Sequence, residues 1–83
     1  MPLETLRQAK RKTVGIKQTT KAVLNGAAKV VFVAKNADER VLRELLGACR
    51  DTKVKVVEAD DMAALGKACG IDVGAAAAAV TEP

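Results

Sequence analysis

An apolar run near the middle of the chain limits the folds that these 83 residues can adopt. The run extends from Lys29 to Ala34 (Lys-Val-Val-Phe-Val-Ala), and after the lysine every residue is apolar and most are β-branched. A strand of this composition has no polar face, so it must be covered on both sides. The run therefore predicts the central strand of a sheet that carries helices on both faces.

Other patterns predict four helices and further strands around this run. Helical periodicity indicates helices over Leu3 to Lys12, Lys17 to Asn25, Asp38 to about Arg50, and Met62 to Cys69. Strands are indicated at Lys53 to Glu58, near the sheet edge, and at Ala75 to Val80. Thr13 and Val14 are a candidate for a very short strand. The third helix has an apolar stripe of Val41, Leu42, Leu45, Leu46 and Cys49. Asp38, and Asp60 or Asp61, are predicted N-caps, and Gly70 is predicted to close the fourth helix.

This alternation of helices and strands favours parallel pairing through right-handed crossovers. We therefore predict one domain over residues 1–83 with an α/β fold, a three-layer α/β/α sandwich around a small mixed, largely parallel sheet. The small side chains of Ala75 to Ala79 indicate that helices approach the last strand closely.

Charge is distributed unevenly along the chain. Up to Lys35 there are eight basic residues and one acid, for a net charge of +7, and from Asn36 onward six basic and nine acidic residues, for a net charge of −3. Arg7, Lys10 and Arg11 are spaced to form a basic face on the first predicted helix. The asymmetry favours a polyanionic partner for the N-terminal half, with a solvated lysine-rich face as the alternative.

The chain offers little material for catalysis, because it has no histidine, tyrosine or tryptophan. Glu58, Asp60, Asp61 and Asp72 are the only acidic cluster, and helix capping by Asp60 and Asp61 explains it more simply than a metal site or acid/base chemistry. The pair Gly66-Lys67 lacks the upstream glycine and the following Ser or Thr of a P-loop. We expect no catalysis, no metal and no cofactor.

The two cysteines, Cys49 and Cys69, lie on apolar helical stripes and form no Cys-x-x-Cys pair. This pattern is typical of buried thiols in a reducing compartment, and a zinc site is not expected. The apolar segment from Ala75 to Val80 is too short to span a bilayer, and no secretory segment is recognisable at the start. We therefore expect a cytoplasmic protein without membrane contact.

The second predicted helix has the features of an anion-binding site at its start. Gly15 precedes it and Gly26 is placed as its left-handed C-cap. One side carries Lys17, Gln18, Lys21 and Asn25, and the other turns Ile16, Thr20, Val23 and Leu24 towards a core. Free backbone amides and the positive end of the helix dipole point out at the same end, which suits a phosphate backbone. From these residues alone, an ordinary surface helix is the alternative.

An apolar loop, Gly70 to Gly74, follows the fourth helix. Its Ile71 and Val73 either are exposed or plug the core. The only aromatic residue, Phe32, lies in the apolar strand, so a base-stacking surface is not expected. A basic helix start beside an exposed apolar loop would suit structured RNA with an extruded nucleotide.

Several segments together resemble the ribosomal protein L-seven-Ae family. They are Gly15 to Lys21, Ala28 to Ala34, Lys35 to Asp38 and, most specifically, the run from Leu65 to Ala76 (Leu-Gly-Lys-Ala-Cys-Gly-Ile-Asp-Val-Gly-Ala-Ala). The resemblance covers almost the whole chain and is greatest to the bacterial homologues that bind kink-turn RNA. It implies the same fold and a monomeric, non-enzymatic protein that recognises tandem G·A pairs beside a flipped-out nucleotide. Ribosomal RNA or a riboswitch are the implied partners.

The resemblance also implies which residues bind RNA. The family signature Gly-x-Asn-Glu-x-x-Lys, which reads the G·A pairs, aligns with Gly15 to Lys21; here Lys17 replaces the asparagine and Gln18 the glutamate. Gln18 can still donate to and accept from base edges, and Lys17 can meet a phosphate or a guanine edge. The implied RNA-binding residues are Gly15, Ile16, Lys17, Gln18, Lys21, Lys67, Ile71, Asp72 and Val73. A protein-interaction module of the same fold is the alternative function, and an enzyme ranks behind both.

Overall fold

Four strands form one mixed sheet in a computed structural model, which describes residues 3–83. The elements in chain order are α1 (Glu4–Gln8), β1 (Arg11–Val14), α2 (Ile16–Leu24), β2 (Val30–Ala34), α3 (Glu39–Thr52), β3 (Lys55–Ala59), α4 (Met62–Cys69) and β4 (Ala77–Glu82). Across the sheet the strands run in the order β1-β4-β2-β3. The apolar run thus forms an inner strand, β2, and β3 lies at an edge, both as predicted.

The sheet is not largely parallel, so that part of the prediction was wrong. Only β2 and β3 pair in parallel, whereas β4 lies between β1 and β2 and is antiparallel to both. The cause is the segment after α4, which turns back along that helix: the Ala75 N–H donates to the Met62 carbonyl over 3.0 Å. Strand β4 therefore begins at the end of the sheet where β2 and β3 stop.

Helices cover the sheet as the apolar run predicted. Helix α2 packs against α3, and α1 packs against α4, which gives one helical layer on each face. Phe32, Leu6, Leu45 and Leu65 are fully buried between the layers. The predicted close approach of helices to the last strand is confirmed, because α1, α2 and α4 all contact β4 and its Ala77, Ala78 and Ala79 have no exposed surface.

The first helix is shorter than predicted. It ends at Gln8, and Arg11 and Lys12, predicted as helix, belong to strand β1. The very short strand predicted at Thr13 and Val14 is confirmed as part of β1. Pairing with β4, in which Thr13 lies opposite Ala79, supplies backbone hydrogen bonds that outweigh the helical preference of this segment. The predicted basic helix face of Arg7, Lys10 and Arg11 therefore does not form. The last strand is also displaced from its predicted start and begins at Ala77.

The helix ends agree with the sequence signals. Asp38 accepts a hydrogen bond from the Arg40 N–H (2.8 Å), and Asp61 accepts one from the Ala64 N–H (2.7 Å). Gly26 and Gly70 both have a positive φ at the ends of α2 and α4. These caps fix where the connecting loops leave the helices.

The two cysteines are buried and free, as predicted. Burial raises the pKa of both thiols. None of the helices within residues 3–83 combines the length and the apolar character needed to cross a membrane.

Strand direction brings four loops to one end of the sheet, which we call the apical end. Strands β1, β2 and β3 finish there and β4 begins there, so it contains residues 15–18, 35–38, 60–62 and 70–76. The opposite, basal end contains residues 9–11, 27–29, 53–55 and 81–83.

Candidate nucleic-acid interface

The start of α2 lies at the apical end and is open to solvent. Gly15 has φ 95° and donates its N–H to the Ala77 carbonyl over 2.8 Å, which ties the helix start to the first residue of β4. The positive φ explains the glycine, since other residues rarely adopt this conformation. A Cβ at Gly15 would have no neighbour within 4 Å, and no side chain caps the helix. A ligand can therefore approach the backbone at this point.

Helix α2 presents a polar side to solvent, as predicted. Lys17, Gln18, Lys21 and Asn25 are exposed, whereas Thr19, Thr20, Ala22 and Val23 are buried. Leu24, predicted to face the core, is 63% exposed, so that prediction was wrong. The buried stripe runs through Thr19 and Val23, and Leu24 lies beyond it, one turn after Lys21.

Two hollows flank the exposed side of α2. One, of about 360 Å³, lies between α2 and α3 and is lined by Ile16, Lys17, Thr20, Lys21, Leu24, Asn25 and Glu44. The other, of about 420 Å³, lies between α2 and the ends of β1 and β4 and is lined by Thr13, Gln18, Lys21, Ala22, Asn25, Ala27 and Thr81. Lys21 and Asn25 line both hollows and form a ridge between them. Lys17 thus faces one hollow and Gln18 the other.

The apical loop, residues 70–76, presents one apolar side chain to solvent. Val73 is 70% exposed and Asp72 is exposed as well. Ile71 instead packs partly buried against the core, and its N–H donates to the Gly66 carbonyl over 3.1 Å. Of the two alternatives left open for this loop, the exposed one therefore applies to Val73 and the buried one to Ile71.

The apical loop is held in place by close backbone contacts with α4. A Cβ on Gly66 would collide with the carbonyl oxygen of Val73, so only glycine fits there without displacing the loop. A Cβ on Gly74 would lie 3.1 Å from the Cβ of Met62. The side chain of Asn36 in turn accepts a hydrogen bond from the Met62 N–H over 2.9 Å. The loop, the start of α4 and the loop after β2 are thus connected.

The structure brings most of the implied RNA-binding residues to one end of the molecule. Gly15 is bonded to Ala77, and the Ala34 N–H donates to the Ala76 carbonyl over 2.9 Å, so the start of α2 and the apical loop border the same strand ends. Lys67 is not part of this group. It lies on α4 beside a separate hollow, which it shares with Leu3, Glu4, Arg7, Asp60 and Ala64.

Two further apolar side chains at the apical end were not identified from the sequence. Met62, the first residue of α4, is 37% exposed, and Val41, in the first turn of α3, is 46% exposed although it belongs to the apolar stripe of that helix. Their position just after an apical loop is the signal that could have identified them. Both increase the exposed apolar area at this end of the molecule.

Two aspartates of the apical end, Asp38 and Asp61, organise helix starts. Asp38 forms an ion pair with Arg40 (Oδ2 to Nη2, 3.0 Å), and this hydrogen bond lowers the pKa of the Asp38 carboxyl group. Asp61 caps α4, as predicted. Within residues 3–83 no group of three His, Cys, Asp or Glu side chains is placed to hold a metal ion.

Comparison with known proteins places the chain among RNA-binding relatives. An RNA-binding protein of Caldanaerobacter subterraneus subsp. tengcongensis is 49% identical over 69 residues, which cover 83% of this chain and 84% of that protein. The RNA-binding protein YbxF of Geobacillus stearothermophilus is 41% identical over 80 residues, which cover 96% of this chain and 98% of that protein. Among solved structures, a 15.5kD RNA binding protein of Giardia lamblia superposes with a TM-score of 0.87 at 28% identity, covering 99% of this chain and 72% of that one.

The family model that matches the chain agrees with these relatives. It is described as the ribosomal protein L7Ae/L30e/S12e/Gadd45 family, and the match extends over residues 2–83. The chain belongs to the ribosomal protein L7Ae/L30e/S12e/Gadd45 family.

Proposed function

We propose that the protein binds kink-turn RNA as a monomer and stabilises its bent form, without catalysis. The observation that carries this proposal is an exposed polar face of α2 that begins with Lys17 and Gln18 at the apical end, beside the apical loop with its exposed Val73, and continues along the helix to Lys21. The RNA-binding relatives and the family match support it. Kink-turns of ribosomal RNA or of a riboswitch, in the cytoplasm, are the proposed targets.

The polar side of α2 fits the widened groove of a bent RNA. The Lys21 ammonium and the Gln18 amide line the same hollow and can donate to base edges, and Gln18 can also accept. Lys17 faces the other side of the ridge and suits a phosphate. The ridge of Lys21 and Asn25 would enter the groove, and the hollows on each side would leave room for the two RNA strands.

The apical loop fits a nucleotide that has left the stack. Val73 has a solvent-exposed branched side chain, and the loop backbone around it is fixed against α4 by Gly66 and Gly74. Covering an unstacked base would bury this side chain. The contact of α2 with the groove and the contact of Val73 with the unstacked base both require the kinked RNA. The protein therefore binds the kinked form more tightly than the extended form and shifts the RNA population towards it.

The proposal is tested by energy transfer between dyes on the two arms of a kink-turn RNA. At low magnesium, adding protein should bring the dyes closer, and an RNA with mutated G·A pairs should respond only at much higher protein concentration. Unchanged transfer at saturating protein would contradict the proposal. The protein-interaction alternative would then take its place, with the exposed Leu24 beside the α2–α3 hollow as the surface to investigate.

Truncating Val73 to alanine should weaken kink-turn binding by up to about a hundredfold, because burial of one such side chain contributes at most roughly 1.5 to 3 kcal/mol. The melting temperature should hardly change, since Val73 is 70% exposed. The measurements are an RNA titration and a thermal melt of the same samples. A steep loss of stability with unchanged affinity would show that Val73 belongs to the core.

A further inference from the structure

The basal end gathers cations from every part of the sheet. Lys10 and Arg11 lie at the start of β1, Lys29 just before β2, and Lys53 and Lys55 at the start of β3, and all five side chains are exposed. We call this group the basal cationic surface. Arg11 lies opposite Glu82 on β4, and Lys55 is in register with Val30 of β2, so the cations extend across all four strands. Three interstrand spacings correspond to about 14 Å.

Little negative charge opposes these cations. Within residues 3–83 the ion pairs are Arg11 with Glu82 (3.3 Å) at the basal end and Arg40 with Asp38 at the apical end. The other acidic side chain near the basal end is that of Asp51, in the last turn of α3. Most acidic side chains lie at or near the apical end, namely Asp38, Glu39, Glu58, Asp60, Asp61 and Asp72. The basal end is therefore the more cationic of the two.

The backbone conformation of Lys53, independently of the charge distribution, also points to a function for the basal cationic surface. Helices α2 and α4 end on Gly26 and Gly70 with positive φ, but α3 ends on Lys53, with φ 60°. It is the one non-glycine residue with a positive φ among residues 3–83. A side chain in this left-handed conformation is sterically unfavourable, and glycine would avoid the strain. Strain that persists at a surface position suggests that the side chain there is used, here for its charge.

We propose that the basal cationic surface is a second RNA-binding surface, which contacts the phosphate backbone of a plain RNA helix without reading its sequence. This inference extends the proposed kink-turn function, since it allows one protein molecule to hold two RNA segments at opposite ends. Phosphate contacts made by lysine and arginine position RNA but carry no sequence information. The surface has no aromatic side chain, because the only one in the chain, Phe32, is buried, so base stacking does not contribute.

The test uses the protein saturated with a short, unlabelled kink-turn RNA, to which a fluorescent plain RNA duplex of about 16 base pairs is added. Fluorescence anisotropy should report a ternary complex. With four phosphates contacted, the affinity for the duplex should fall about 150-fold between 50 and 200 mM salt. In a Lys29→Gln/Lys55→Gln double variant two contacts remain, and the same change of salt should lower affinity only about 12-fold. Kink-turn affinity at the apical end should be unchanged.

Two further variants test whether duplex binding depends on the basal cationic surface in particular. Arg43→Gln removes one exposed cation of α3 that lies outside the basal cationic surface and should bind the duplex like the unmodified protein. Lys53→Gly should raise the melting temperature while it weakens duplex binding, a combination that a purely structural role of Lys53 would not produce. Competition between the duplex and the kink-turn RNA for one site would overturn the inference. Equal duplex binding by the double variant and by Arg43→Gln would overturn it as well.

The outcome remains separable from that of the kink-turn proposal. If the protein does not discriminate between a kink-turn and its G·A-mutated control, the proposed function fails. Duplex binding can then be measured on the protein alone, with Lys17→Gln/Lys21→Gln as the matched double variant on α2. A loss of duplex affinity confined to the Lys29 and Lys55 variant would still support the basal surface, and an equal loss in both double variants would refute it.

Discussion

Replacing Gly66 by alanine is expected to lower the melting temperature by roughly 10 °C. The added Cβ would occupy the position of the Val73 carbonyl oxygen, and its neighbours are backbone atoms, which cannot rotate away as a side chain can. Overpacking of this kind costs about 1 to 3 kcal/mol, and each kcal/mol shifts the melting temperature of a domain of this size by about 4 to 8 °C. The apical loop would move, so kink-turn affinity should fall too.

Gly47 offers a matched control for this experiment. It also lies within a helix, α3, but a Cβ there would have no neighbour within 4 Å. Gly47→Ala should therefore be stabilising, by up to about 1 kcal/mol, because alanine is the better helix former. Thermal melts of the two variants side by side separate the shared gain in helix propensity from the collision. If Gly66→Ala were as stable as Gly47→Ala, the close contact between α4 and the apical loop would not exist in solution.

Gln18→Ala and Lys21→Ala should each reduce the discrimination between a kink-turn and its G·A-mutated control. Base-edge hydrogen bonds are worth about 1 to 3 kcal/mol each, which corresponds to roughly 5- to 150-fold in the ratio of the two affinities. Both side chains line the same hollow beside α2, so the two changes remove contacts to the same groove. The measurement is a titration of each variant with both RNAs at two salt concentrations.

Lys53→Ala provides the comparison for these two variants. It removes the same charge as Lys21→Ala but at the basal end, and it should leave the ratio of affinities unchanged. Kink-turn affinity itself should also stay unchanged, and a loss of affinity for both RNAs without a loss of discrimination would indicate that Lys53 contacts a phosphate of these RNAs. If Gln18→Ala and Lys21→Ala behaved like Lys53→Ala, the family roles carried over to α2 would not apply to this chain.

The parts of the fold that the sequence predicted are those with strong local signals. The β-branched run of β2, the caps at Asp38 and Asp61, and the glycines that close α2 and α4 are each encoded within a few residues. Only the second half of strand β1, Thr13 and Val14, was predicted; its start at Arg11 is defined by pairing with β4, more than sixty positions later in the chain. The direction of β4 likewise depends on a loop that folds back along α4.

In the candidate site, too, locally encoded features were predicted from the sequence and features that depend on tertiary contacts were not. The exposure of Lys17, Gln18 and Lys21 follows from helical periodicity, and the structure has it as predicted. The different surroundings of Ile71 and Val73, two residues apart, depend on the tertiary contact between the loop and Gly66. No periodicity in such a short loop could have separated them. The exposure of Val41 and Leu24 also depends on how α2 and α3 pack, which their individual patterns do not contain.

The hydrogen bonds of the apical end bear on which partner changes shape during binding. Backbone groups of residues 75 to 77 are hydrogen-bonded to Met62, Ala34 and Gly15, and the Asn36 side chain is hydrogen-bonded to α4. The apical end is therefore ordered without any ligand. A preorganised protein loses little conformational entropy when it binds. In the proposed complex the entropic cost of ordering would therefore fall mainly on the RNA, and the protein would act as a rigid template on which the flexible RNA completes its own folding.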